Sequence, residues 1–128
     1  MKVGIGYSNT KDSFVSGRVA AEAAIAGGEI ENSALILAFC HHQVDSEAFL
    51  QGLRTVFGCD VPIVGGSAIG IITNDQVSYE GFPAGIAVLQ SDDLKFDIAC
   101  ADHLDQDERK AGRKLAGSLS SAESGQLL

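Results

Sequence analysis

The segment VGGSAIG, at residues 64–70, places a serine among three glycines between two apolar runs. A Walker phosphate-binding loop is excluded because no lysine follows the last glycine. A nucleophile elbow is excluded because Ile69 stands two residues after Ser67, where that motif requires glycine. Two interpretations remain open. Either Gly65, Gly66 and Ser67 form a turn whose backbone N–H groups lie at the mouth of a pocket, or the turn is tight and binds nothing.

A second set of candidate residues is CHH at residues 40–42, with DH further along at residues 102–103. These imidazoles allow a small hydrolase or transferase in which Ser67 or Cys40 is the nucleophile and a histidine is the base. They also allow a metal site of cysteine and histidine ligands. Adjacent strand residues point to opposite faces, so Cys40 and His41 cannot share a side, and no CxxC or HxxxH pair is present. We therefore expect no metal, no cofactor and no catalytic residue, and interpret the segment as a buried cysteine followed by exposed loop histidines.

The N-terminal segment GIGYSN, at residues 4–9, matches part of the dinucleotide-binding fingerprint. The match is weak because Asn9 stands where the third glycine is required, and because the glycines fall inside the predicted strand rather than after it. We interpret Gly4 and Gly6 instead as small residues that let a helix pack close above the strand.

The composition indicates the class of protein. The 128 residues are 45% hydrophobic and 20% charged, which predicts one globular domain over residues 1–128. A net charge of −8 argues against nucleic acid and acidic membrane surfaces as partners. No apolar run approaches the roughly 18 residues of a spanning helix, and the N-terminus lacks the plan of a signal peptide. The three cysteines are odd in number and widely spaced, so we predict a reducing, cytoplasmic setting.

Hydrophobic periodicity predicts the elements that position these residues. Strands are predicted over residues 3–8, 34–40, 61–64, 69–73, 84–90 and 94–101, and helices starting at Asp12 or Ser13, at Asp45 and near Asp105. This order predicts an α/β fold: a β-α-β-α-β unit with parallel strands, extended by antiparallel strands into a mixed sheet flanked by helices.

Three finer expectations concern the sheet. The run ALILAFC, at residues 34–40, is apolar on both faces, which predicts a central strand covered on both sides. The turn SDD, at residues 91–93, predicts a hairpin between the last two strands. Only one short helix remains to cover these two apolar strands, so we expect a bare face that self-associates or is covered by a further domain.

Three segments together resemble the N-terminal domain of FIST proteins, the F-box and intracellular signal transduction family. They are the alanine-rich helix after a short first strand, the strand ALILAFC with its capped helix SEAFLQGLRTVFG, and PIVGGSAIGII. The resemblance covers roughly residues 3–101. This sequence departs from the family pattern at Gly66, where Cys is common, at Ala68, where Thr is common, and at Ile71, which replaces the acidic residue near the end of the motif.

The resemblance implies a cytoplasmic sensory domain of a signal-transduction protein that binds a small ligand such as an amino acid. It also implies a C-terminal FIST domain or a signalling output module as partner, so we expect this chain to be an N-terminal fragment of a longer FIST protein. In α/β sheets, ligands settle beyond the carboxyl ends of parallel strands, where hydroxyl, amide and imidazole groups can orient a carboxylate. The expected ligand-binding residues at those ends are Ser8, Asn9, Cys40, His41, Gly65, Gly66 and Ser67.

Overall fold

The computed structural model describes residues 1–119 and confirms the predicted α/β fold. Its helices are α1 (Ser13–Gly28), α2 (Ser46–Phe57) and α3 (Glu108–Ser118). Its strands are β1 (Lys2–Ser8), β2 (Leu35–His41), β3 (Ile63–Ala68), β4 (Ile71–Ile72), β5 (Val77–Ser78) and β6 (Ala84–Gln90). The chain groups into two compact units, of which the first is Met1–Phe96 and the second begins at Asp97.

The main sheet has four strands in the order β1-β6-β2-β3. Strands β2 and β3 pair in parallel, and β6 pairs antiparallel with both β1 and β2. The predicted β-α-β-α-β unit is therefore present, with β1, β2 and β3 running in one direction. The antiparallel strand β6 lies inside this unit, between β1 and β2, rather than at its edge. Strands β4 and β5 form a separate two-stranded sheet.

Helix α1 packs directly against β1 because β1 presents glycines to it. A Cβ atom at Gly4 would overlap with the carbonyl oxygen of Ala24, and one at Gly6 would overlap with the carbonyl oxygen of Ala20. This confirms the interpretation of the GIG segment as a packing surface for a helix.

Capping residues explain where α1 and α2 begin and where α2 ends. Asp12 accepts a hydrogen bond from the Val15 amide at 2.9 Å, and Asp45 accepts bonds from the first turn of α2. Each satisfies amides that have no partner within the helix. Gly58, with a φ of 77°, ends α2 as predicted.

The two helices of the first unit leave one face of the sheet open. Helices α1 and α2 pack against each other at Gly17 and Gly52, and right-handed crossovers, the general rule for parallel units, place both helices on the same face. Along β2, Ile36, Ala38 and Cys40 are buried towards the helices, whereas Phe39 is 44% exposed on the other face. The prediction that β2 is covered on both sides is therefore wrong.

The segment at residues 94–101 forms no strand, so the predicted hairpin at residues 91–93 is also wrong. The physical reason lies in the strand order. A hairpin partner would have to pair with β6, and both edges of β6 are already occupied by β1 and β2. The strand predicted at residues 69–73 is shortened to β4. The segment between β4 and β6 contains the short strand β5.

The second unit contains α3, which starts slightly later than predicted. Asp107 caps it by accepting a hydrogen bond from the Lys110 amide at 2.9 Å. Lys114 donates a hydrogen bond to Asp102 at 2.6 Å, and this bond lowers the pKa of the Asp102 carboxyl. Both side chains are exposed, so the pair contributes little to stability.

Candidate functional site

The glycine segment lies inside strand β3 and not in a turn. Gly65, Gly66 and Ser67 stand in register with Ala38, Phe39 and Cys40 of the parallel strand β2. The predicted turn is therefore wrong.

The two glycines of this segment have different surroundings. A Cβ atom at Gly65 would overlap with the carbonyl oxygen of Ala38. A Cβ atom at Gly66 would have no neighbouring heavy atom within 4 Å. Gly65 therefore allows β2 and β3 to approach closely, and Gly66 leaves an open space on the surface of the sheet.

The register brings three of the expected site residues into one row at the carboxyl ends of the parallel strands. Ser8 and Cys40 both pair with Ala84, and Cys40 also pairs with Ser67, so the three side chains share the helix-covered side. Ser8 and Cys40 are buried, and Ser67 is exposed. Burial raises the pKa of the Cys40 thiol, which therefore stays protonated at neutral pH.

The polar groups at the end of β1 are already bonded within the protein. The Ser8 hydroxyl donates to the hydroxyl of Thr10 at 3.1 Å. The Asn9 amide donates to the Glu80 carbonyl at 3.0 Å, and its oxygen accepts the Phe82 amide at 2.6 Å. Asn9 thus holds the loop between β5 and β6. No local signal in the sequence indicates this role, because its partners lie about 70 residues away.

The histidines do not form a nucleophile–base pair with the candidate nucleophiles. His41 is buried in β2, and its Nδ1 accepts the Gln43 amide at 3.4 Å. His42 is exposed, as expected for a loop histidine, whereas the same expectation for His41 is wrong. Within residues 1–119, no hydrogen bond joins an imidazole to Ser67 or Cys40, and no cluster of three His, Cys, Asp or Glu side chains could hold a metal ion.

A groove of about 480 Å³ lies on the open face of the sheet, between the main sheet and the β4 segment. Its lining residues are Ile5, Leu37, Phe39, Ala68, Gly70, Ile71, Ile72, Thr73, Asn74, Gly85, Ile86 and Ala87. The walls are apolar, and Thr73 and Asn74 supply the polar side chains. None of the seven expected site residues, all within the described chain, lines this groove. Leu37 and Phe39 belong to a run that is indistinguishable from core in the sequence, so the groove was missed.

The burial of the cysteines predicts their reactivity. Cys59 and Cys100 are exposed, whereas Cys40 is buried and its thiol has a raised pKa. Since the thiolate is the reactive form, we expect iodoacetamide at neutral pH to modify two thiols of the native protein quickly and Cys40 only after unfolding. Mass spectrometry of timed, quenched samples would locate each adduct. Rapid modification of native Cys40 would contradict the buried position of this thiol.

No helix within residues 1–119 is both long enough and apolar enough to cross a membrane. This is consistent with the sequence, in which no apolar run has the length of a membrane span.

Comparisons with known proteins give a family and a distant structural likeness. The family model described as the FIST N domain matches residues 34–128. An FtsZ W319Y mutant, P1, from M. jannaschii is similar in structure, with 14% sequence identity and a TM-score of 0.44. The alignment covers 70% of this chain and 27% of the FtsZ chain. No curated protein matches this sequence.

Proposed function

The chain belongs to the FIST N domain family, a family of sensory domains in signal transduction, and on that basis we propose that its open-face groove binds a small ligand. The ligand class is an amino acid with an apolar side chain, or a related metabolite. The observation that carries the proposal is the groove itself, whose volume of about 480 Å³ falls within the usual range of small-molecule sites.

The walls of the groove favour an apolar group. Phe39 and Ile72 line it and are both exposed to water, and Leu37 is only partly buried. Covering this apolar surface with a ligand side chain contributes about 25 cal/mol of favourable binding free energy for each Å² of apolar surface removed from water. An apolar amino-acid side chain is therefore the part of the ligand that these walls recognise.

The rim of the groove favours a polar group. Thr73 is bonded within its own loop, through its amide to Gln76 and through its hydroxyl to Asp75 at 3.3 Å. The Asn74 side chain makes no hydrogen bond within residues 1–119, so its amide is free to bind the carboxylate or the ammonium of an amino acid. Asp75 beside it supplies the negative charge that an ammonium group prefers.

The setting and the partner belong to the same proposal. Three free cysteines and a net charge of −8 support a cytoplasmic location. A C-terminal FIST domain or another signalling module is the partner that responds to ligand binding and transmits the signal. A hydrolase or transferase finds less support, because neither Ser67 nor Cys40 has a bonded imidazole as its base within the described residues.

A thermal-shift screen of the standard amino acids tests the ligand site. Apolar amino acids are expected to raise the melting temperature, since a ligand at a hundredfold excess over its Kd adds about 2.7 kcal/mol to stability. Phe39→Ala should abolish the shift because Phe39 forms a wall of the groove. The matched control is Phe14→Ala, which removes a similarly exposed phenylalanine, 39% against 44%, from helix α1, outside the lining of the groove.

The control variant decides how the screen is interpreted. We expect Phe14→Ala to respond to apolar amino acids as the parent does, whatever its own melting temperature. If no amino acid shifts the parent, or if Phe39→Ala responds as strongly as the parent, the groove is not the site.

A further inference from the structure

Strand β3 is an edge strand that lacks the usual protection of sheet edges. It is the last strand in the order β1-β6-β2-β3, and within the described residues β2 is its only paired neighbour. Its sequence, IVGGSA, contains no charged residue and no proline, and its four central residues are exposed. Natural edges are normally protected by lysine, proline, a bulge or a covering element. The opposite edge, β1, begins with Lys2, whose ammonium binds the Glu29 carbonyl at 2.9 Å.

The pairing with β2 determines which backbone groups of β3 are free. The Ile36 amide donates to the Pro62 carbonyl at 3.0 Å, and this bond sets the phase of the parallel ladder. In such a ladder, alternate residues turn their N–H and C=O groups towards the neighbouring strand. Val64, Gly66 and Ala68 therefore face β2. The N–H and C=O groups of Ile63, Gly65 and Ser67 face away from it.

We propose that a second copy of this chain pairs with β3 in antiparallel orientation, with the two-fold axis at Gly65. Gly65 then lies opposite Gly65 of the second copy, and Ile63 opposite Ser67, each as a hydrogen-bonded pair. These pairs form about six hydrogen bonds between the copies. The two sheets become one continuous sheet, with their open faces side by side.

The side chains of β3 are complementary to those of a second copy. In this register Val64 lies opposite Gly66 of the other chain, on the open face. The Val64 side chain is 40% exposed, and the Cβ direction of Gly66 points into empty space, so each valine fills the space above the opposite glycine. No charged side chain of β3 opposes another, which removes the usual like-charge penalty of cross-strand pairs.

The size and charge of the contact predict how strong the dimer is. Two six-residue strands bury less than the roughly 1,200–2,000 Å² of a stable interface, so the dimer is weak and concentration-dependent. Each copy carries a net charge of −8, and this repulsion is screened by salt. Dimerisation should therefore strengthen as the salt concentration rises.

Sedimentation velocity over a concentration series tests the proposal, with Val64→Lys as the disrupting variant. Lysine on an edge strand opposes pairing, and here it also removes the valine that fills the opposite space. The matched control is Val3→Lys, which changes a similarly exposed valine, 47% against 40%, on the other edge strand. Val64→Lys should raise the dimer Kd about tenfold or more, whereas Val3→Lys should leave it unchanged. Circular dichroism confirms that both variants are folded.

Hydrogen exchange identifies the surface that pairs. The amides of Gly65 and Ser67 should exchange more slowly as the protein concentration rises, whereas the Gly66 amide, which faces β2, should not respond. Three results would overturn the proposal: a monomer at every concentration, a dimer that Val64→Lys does not weaken, or Gly65 and Ser67 amides that are insensitive to concentration. The last two would indicate contact through the open face or another surface.

Discussion

Gly52→Ala is expected to lower the free energy of unfolding by about 3 kcal/mol, a large share of the stability of a small domain. Helices α1 and α2 cross so closely that their backbones touch. A Cβ atom at Gly52 would overlap with the carbonyl oxygen of Phe14 and lie 3.0 Å from the Arg18 amide nitrogen. The contact is reciprocal, because a Cβ atom at Gly17 would contact the carbonyl oxygen of Phe49. Backbone atoms cannot rotate away as a side chain can, so the helices must separate.

The matched control is Gly27→Ala in helix α1. Gly27 is exposed, and a Cβ atom there would lie 3.9 Å from the carbonyl oxygen of Ile5, the nearest atom outside its own helix, which is an ordinary contact. Alanine is the better helix former by up to about 1 kcal/mol, so this variant should be neutral or slightly more stable. Urea unfolding followed by circular dichroism measures both. Equal stability of Gly52→Ala and the parent would show that the helices tolerate a wider crossing.

The features that could be predicted from the sequence depend on local chemistry. The starts of α1 and α2 were predictable because Asp12 and Asp45 bind amides within three residues of themselves. The end of α2 was predictable because glycine adopts the positive φ of Gly58 without strain. In each case the residue and its partner are close in sequence, so the pattern alone contains the interaction.

The strand order could not be predicted, because it depends on which distant segments meet. Residues 94–101 are largely apolar, as the residues of a buried strand are, yet they form no strand. Strand β6 pairs on one side with β1, about 80 residues earlier, and this pairing leaves no edge for a hairpin. Periodicity describes the faces of a strand, but it contains no information about its neighbours.

The candidate site shows the same division between local and distant information. Ser8, Cys40 and Ser67 lie in one row across the sheet, because parallel strands align their carboxyl ends. The engagement of Asn9 with the loop near Glu80 was not predictable, because that loop is distant in sequence. The groove was missed for a related reason. Whether Phe39 is core or surface depends on which face of the sheet the helices cover.

The glycine pair in β3 was predicted as a turn because glycine favours turns, and the close approach of β2 overrides that preference. Substituting each glycine separately distinguishes the two effects, since a turn would need both residues to be flexible. In the strand, only Gly65 is constrained, by the carbonyl of Ala38. Gly66 has open space around it.

Gly65→Ala should therefore destabilise the protein by about 2–3 kcal/mol, because its Cβ atom would force β3 away from β2. Gly66→Ala should be neutral or slightly stabilising, since alanine suits a strand better and lowers the entropy of the unfolded chain. Urea unfolding gives the two stabilities. Amide exchange locates the change, with the Gly66 and Ala68 amides losing protection in Gly65→Ala only. Equal effects of the two substitutions would contradict the paired strand and favour the flexible turn, because only the ladder with β2 makes these neighbouring glycines different.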